Sequence, residues 1–167
     1  MRQMPVNKPL DEIISRSIAK EIGSKAKSPF ENAYKAALAM PDVSYVQGFL
    51  AFAGQPFQPI EHSWLEQPDR IVDPTLPHLG RAATDLHYFP AQSLTVKRLK
   101  AVVEEAREDY PDDDPLPIYG PEPYAYYGDL MLGGKDYQKA FEQAAAKCRE
   151  LNQPRLNDRG SSNGHGR

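Results

Sequence analysis

The stretch PIEHSWLEQPDRIVDPTL, residues 59–76, decides the predicted fold. Its first half alternates in the manner of a β-strand, and one side of that strand carries Ile60, His62 and Trp64. Pro68 and Asp69 then predict a turn, and the apolar residues that follow predict a returning strand. We therefore expect a β-hairpin at the centre of the domain.

The hairpin predicts a histidine–aspartate pair. If the turn has two residues, Glu66 pairs with Ile71 and Trp64 pairs with Asp73. His62 and Asp73 are then diagonal neighbours on one face, at about 7–8 Å between Cα atoms. A carboxylate so placed can orient an imidazole for catalysis. The alternative is an ordinary hairpin that packs Trp64 against the domain. The polar pair would then only satisfy its hydrogen-bonding groups and have no catalytic role.

Helices are predicted on both sides of the hairpin. The first lies between Pro9 and Gly23, which suit the two ends of a helix. The second begins at Ser28, where Pro29 follows and Glu31 stands three residues on, as in a capping box. Apolar spacing and helix propensity predict two more helices. The four predicted helices comprise residues 9–22, 28–40, 93–109 and 135–151.

The order of the elements predicts an α+β domain in which helices pack on a small antiparallel sheet. Residues 43–54 are rich in β-branched and aromatic residues and predict a buried strand. HYFP predicts an edge strand that Pro90 closes. Residues 110–134 are rich in proline and tyrosine and predict a long ordered loop. The domain is expected to span 1–151, with a disordered polar tail at 152–167.

Composition restricts the class of function. The 167 residues carry a formal net charge of −3, which does not favour a nucleic-acid partner. A single cysteine, Cys148, excludes an internal disulfide. No apolar run is long enough to cross a membrane, and no signal peptide is recognised, so we expect a cytoplasmic protein. His78 and His87 lack metal-binding spacing, and we predict no metal and no cofactor.

Four segments resemble the core of the transglutaminase-like, papain-type domains, most closely small uncharacterised bacterial and phage members. The segments are SPFENAYKAAL, YVQGFLAF, IEHSWLE and RIVDPTL, and the resemblance covers about residues 28–76. Family members carry a cysteine at the start of a helix, then H-x-W, then D-P-T. The resemblance implies a papain/transglutaminase-like fold, in which His62 would activate the thiolate and Asp73 would orient His62.

The nucleophile of that family is missing from this chain. Pro29 stands at the position of the cysteine, and proline has no group that can attack. Ser28 is adjacent, but its expected role as a helix N-cap accounts for it. Cys148 lies well inside the last predicted helix, where nothing would lower its pKa, and it is predicted to pack.

Three functions follow from these observations. The favoured one is a catalytically degenerate domain that binds a protein or peptide in a cleft walled by Trp64 and roofed by Tyr124, Tyr126 and Tyr127. These tyrosines could equally serve only to pack their loop. The second function is an amide hydrolase or acyl-transferase that uses His62 and Asp73 with Ser28 or an activated water. The third is a structural protein of a mobile element, and the oligomeric state is left open.

Overall fold

A computed structural model describes residues 8–118, 124–127 and 130–153, with side chains described outside 124–127 and 130–133. The helices of this part of the chain are α1 Glu12–Ile22, α2 Pro29–Ala39, α3 Val96–Asp109 and α4 Lys135–Asn152. Its strands are β1 Ser44–Ala51, β2 Ile60–Gln67, β3 Arg70–Val72, β4 His87–Thr95, β5 Tyr124–Tyr127 and β6 Leu130–Gly133.

Four of these strands form an antiparallel sheet in the order β3-β2-β1-β4, and the described helices pack on it. Strand β1 is central, and all but its first residue are buried. Strands β5 and β6 form a separate hairpin. The predicted α+β class, with helices on an antiparallel sheet, is confirmed.

The register of the central hairpin is the predicted one. Gln67 pairs with Arg70 across a two-residue turn, and Glu66 pairs with Ile71. Strand β3 ends at Val72, so Asp73 follows the last ladder pair and begins the turn into the next connection. His62 and Asp73 nevertheless lie on the same side of the hairpin, as the two-residue turn requires.

The sheet has two buried faces. One, here called the helix face, carries Tyr45, Phe49 and Leu65 and packs against α2, α3 and α4. The opposite one, the loop face, packs against apolar residues of the connection between β3 and β4. Its sheet residues are Val46, Leu50, Trp64, Ile71 and Tyr88. Because neighbouring residues of a strand point to opposite faces, Glu61 belongs to the helix face and His62 to the loop face.

Helix α1 is fastened to the free edge of β3. The backbone N–H of Asp11 donates to Ile71 O, and Ile71 N–H donates to Pro9 O. The Asp11 side chain caps the helix by accepting from Ile14 N–H at 2.9 Å. Gly23 ends it in the left-handed conformation, with φ of 65°, which glycine adopts without steric cost.

Several predicted boundaries are wrong. Pro90 does not close its strand, because β4 lies at the sheet edge and the ladder is irregular where Pro90 meets Gly48, so its ring interrupts no regular pairing. Helix α3 begins only at Val96, capped by Thr95. The loop expected at 110–134 contains β5 and β6. Asn152 belongs to α4 rather than to a tail, and residues 154–167 of the predicted tail lie outside the described residues.

Candidate functional site

The predicted histidine–aspartate pair is present. Nε2 of His62 lies 2.8 Å from Oδ2 of Asp73, in a hydrogen bond. The same oxygen accepts from the Tyr88 hydroxyl at 2.7 Å, and Oδ1 accepts from Thr75 N–H at 2.9 Å. Burial, followed by the Asp73 charge, raises the pKa of Tyr88 well above its ordinary value of 10.0, so this hydroxyl is a neutral donor.

Hydrogen bonds extend from this pair into both N-terminal helices. The backbone N–H of Asp73 donates to Ser15 Oγ of α1 at 2.8 Å. Asn32 of α2 donates to Thr75 Oγ1 at 2.9 Å. Its side chain also donates to Lys25 O and accepts from Lys25 N–H. The network therefore joins α1, α2 and the end of the hairpin through Asp73 and Thr75.

Aromatic rings close the pair off from solvent. Trp64 stacks on His62 with 6.1 Å between ring centroids, and Tyr88 meets Trp64 edge-on at 5.0 Å. His62 is 1% exposed, while Asp73 and Trp64 are 0% exposed. Trp64 therefore does not wall an open cleft, and that prediction is wrong. A substrate could reach His62 only if the loop face opened.

Ser28 and His62 are not brought together. Ser28 is the residue before α2 and Pro29 is its first residue, as predicted, but Ser28 makes no capping hydrogen bond. Its ψ of 53° lies outside the extended region that a side-chain cap needs, and its hydroxyl instead donates to Ala26 O at 3.4 Å. Ser28 and Pro29 line a cavity with Glu61, on the helix face, whereas His62 points to the loop face.

The remaining predicted residues lie elsewhere. Cys148 is buried on α4 among Phe49 and Tyr137, and burial raises the pKa of its thiol. It is a packing residue, as expected. Tyr124, Tyr126 and Tyr127 fall in β5, and their side chains lie outside the described part of the structure. Their predicted role as the roof of a binding cleft stays a prediction.

The cavity on the helix face was not predicted from the sequence. It has a volume of about 500 Å³ and lies between the start of α2, strand β2, helix α3 and residues 114–116. Phe30, Tyr34 and Leu116 supply apolar wall. The charged side chains that line it include Lys27, Lys35, Arg107, Glu31, Glu61 and Asp114.

Glu61 is the unusual group in this cavity. It is half-buried, and among the described residues it has no hydrogen-bond or ion-pair partner. Its desolvation raises its pKa from 4.5 to about 7, because burial disfavours the charged form. Lys35 is paired with Glu31 at 3.5 Å, and the Arg107 guanidinium lies 5.9 Å from the ring centre of Tyr34. A perturbed carboxyl in a cavity is a mark of functional sites.

We predict that Glu61→Gln stabilises the protein at pH 8 but not at pH 4.5. The pKa of Glu61 is raised in the folded protein. The stabilising contribution of its neutral form is therefore full below about pH 4.5 and is lost as pH rises through about 7. Glutamine stays neutral throughout. Urea unfolding should show a difference on the order of 1 kcal/mol at pH 8, after allowance for solvent screening. The exposed Glu104→Gln is the control, and an equal gain there would show that only net charge matters.

Among the described residues, no group of three or more histidine, cysteine, aspartate or glutamate side chains is arranged to hold a metal ion. No helix in that part of the chain is long and apolar enough to span a membrane. No protein-family model, curated protein or solved structure matches the chain.

Proposed function

We propose that this protein is a non-catalytic module that binds a peptide or a segment of a partner protein in the helix-face cavity. The observation that carries the proposal is Glu61, a half-buried carboxyl without a partner among the described residues, which faces a cavity of about 500 Å³. An ionisable group that is desolvated and unpaired reduces stability. A ligand that donates a hydrogen bond to it would remove that penalty.

The residues that line the cavity favour a peptide ligand over a small polar metabolite. Phe30, Tyr34 and Leu116 offer apolar contact, and Glu61 offers a strong acceptor for a backbone N–H or a side-chain donor. A volume of about 500 Å³ lies within the range of ligand sites. Peptides combine apolar side chains with regularly spaced N–H donors, so they match both features at once.

The binding function is better supported than hydrolysis or acyl transfer. Asp73 already accepts hydrogen bonds from three donors, and the His62 imidazole is buried beneath Trp64 and Tyr88. Ser28 lies on the side of the sheet away from His62, and Pro29 carries no nucleophile. A retained cavity needs no nucleophile to bind. Nothing in the geometry favours a structural role in a mobile element.

We also propose, as the finer description of the fold, a degenerate papain/transglutaminase-like domain. The helix, the following strands and the His62–Asp73 hydrogen bond occur in the order that the resemblance implies. The first turn of α2 faces Glu61 rather than His62, and this difference counts against the kinship. Peptide binding in the cavity beside Glu61 does not require this kinship.

Selection of peptides from a random displayed library against the native protein tests the proposed function. Enriched peptides should bind the native chain, and Tyr34→Ala should weaken them at least about tenfold by removing apolar wall. Lys100→Ala, a change at an exposed residue that does not line the cavity, is the matched control. Enriched peptides that are indifferent to Tyr34, or no enrichment at all, would refute the proposal.

The affinity of such peptides should rise with pH through the titration of Glu61. A hydrogen bond donated to a charged acceptor is stronger than one to a neutral acid by about 1 kcal/mol, which is about fivefold in affinity. The pKa of Glu61 is about 7, so we expect tighter binding at pH 8 than at pH 5.5. Calorimetry at both values measures this change, and Glu61→Gln should abolish it. A pH dependence that persists in Glu61→Gln would assign it to another group.

A further inference from the structure

Residues Pro115–Ile118, here called the strap, cross the helix face between two cavities. One is the cavity that contains Glu61, to which the strap contributes Pro115 and Leu116. The other has a volume of about 550 Å³, lies against α3 and is lined by Pro115, Pro117 and Ile118 of the strap. The strap is therefore the partition between two cavities on the same face.

A buried glutamine binds the backbone of the strap. The N–H of Ile118 donates to Gln47 Oε1 at 2.8 Å, and Gln47 Nε2 donates to Ile118 O at 2.7 Å. Gln92 Nε2 donates to the same carbonyl at 3.2 Å. These contacts all engage the main chain of Ile118, so the arrangement recognises a backbone rather than a particular side chain.

The receptor for this backbone is preorganised by the sheet and by α4. Gln47 is 1% exposed. Its Oε1 also accepts from the Tyr45 hydroxyl at 2.8 Å, and its Nε2 donates to the Tyr137 hydroxyl at 2.9 Å. Gln92 donates to that hydroxyl at 3.0 Å. Tyr45 and Tyr137 thus hold Gln47 in one orientation, and Tyr137 also holds Gln92.

The strap itself has few other attachments. Within the described residues, two further hydrogen bonds attach it: the Tyr137 hydroxyl donates to Ile118 O at 3.4 Å, and Leu116 N–H donates to the nearby Asp114 Oδ1 at 3.0 Å. Its apolar contact with the core comes from Leu116 and Ile118, both only partly buried. Such a segment can open at lower free energy than the strands beneath it.

We infer that the strap is an internal occupant of a peptide-binding groove, and that the partner is a proline-containing peptide whose aliphatic residue takes the place of Ile118. This inference rests on the proposed function and specifies its partner and its regulation. Displacing the strap would join the two flanking cavities into one groove, with Gln47 and Gln92 at its centre. The tethered strap competes with the partner and sets the threshold for binding.

Native-state hydrogen exchange of the unaltered protein gives the first test. The Ile118 amide should exchange at least about 100-fold faster than the amides of β1, at a rate that low urea does not change, because only local opening is needed. If Ile118 instead exchanges with the rate and urea dependence of Phe49, the strap opens only on global unfolding. That result would overturn the inference.

A peptide supplied in trans gives the second test. The probe is DDDPLPI, the chain's own residues 112–118, and the protein is Leu116→Gly/Ile118→Gly, in which the strap is weakened. A tethered competitor at an effective concentration of about 1 mM should weaken a peptide of about 0.1 mM affinity by about tenfold. We therefore expect the probe to bind the double variant about tenfold more tightly than the native protein.

N-methylation of the isoleucine amide in the probe is the matched control, since it removes the donor to Gln47. Binding of the methylated probe should be lost. Equal binding of both probes, or equal affinity for the native protein and the double variant, would overturn the inference. If the probe fails on a folded double variant while library peptides still bind in a Tyr34-dependent manner, the inference fails and the proposed function stands. If the double variant does not fold, hydrogen exchange in the native protein decides.

Discussion

Asp73→Ala is expected to lower the free energy of unfolding by about 3–5 kcal/mol, a large fraction of the stability of a domain of this size. The change leaves three donors without their acceptor: the His62 ring, the Tyr88 hydroxyl and the Thr75 N–H. All of them lie where water does not reach, so none can be compensated by solvent. Urea unfolding at pH 7 measures the loss.

Asp69→Ala is the matched control, because Asp69 lies on the same hairpin and its side chain is exposed. Surface changes of this kind usually alter stability by less than about 0.5 kcal/mol. A similar small effect for Asp73→Ala would show that the His62–Asp73–Tyr88 network contributes little to the fold, contrary to the structure.

Gly48→Ala is expected to destabilise the protein by about 3 kcal/mol, the upper end of the range for overpacking. A Cβ at this position would overlap Phe89 O and would lie 2.9 Å from Pro90 Cα. Both contacts are with the backbone of β4 at the irregular point of the ladder, which no side-chain rotation can relieve. Only glycine allows the edge strand to approach the central strand so closely.

Ser44→Ala, at the half-buried start of the same strand, should change stability little. Thermal or urea unfolding of both variants makes the comparison. If Gly48→Ala unfolds like Ser44→Ala, the ladder must shift easily at the bulge, and the tight approach of β4 to β1 is not required.

The hairpin could be predicted from sequence because its determinants are local. The alternation in β2 and the two-residue turn at Pro68 and Asp69 together define the register. The same register places His62 and Asp73 on one side, and the hydrogen bond between them follows. The start of α2 could also be located, because proline is favoured in the first turn of a helix.

The face covered by α2 could not be predicted. Strand β2 is buried on both faces at its centre, so polarity does not reveal which face meets a helix and which meets a loop. The resemblance implies a functional site at His62, whereas the cavity lies beside its neighbour Glu61. A glutamate that shares a strand face with Ser63 and Leu65 was the available signal.

The strap could not be predicted either, because its contacts are non-local. Gln47 and Ile118 are 71 residues apart, and a buried glutamine in an apolar strand does not indicate what it binds. The composition of residues 110–118, with prolines and aspartates, indicated a loop correctly but gave no reason for it to lie on the helix face.

The most direct test of the binding site is an NMR titration of the native protein with a selected peptide. We expect amide shift changes to cluster around the helix-face cavity, at Phe30, Glu31, Glu61 and Leu116, with further changes at Gln47 if the strap is displaced. Residues that pack on the loop face, such as Leu76 and Leu86, should change little. Shift changes centred on the loop face around His62 would contradict binding in the helix-face cavity, because they would place the peptide at the buried pair.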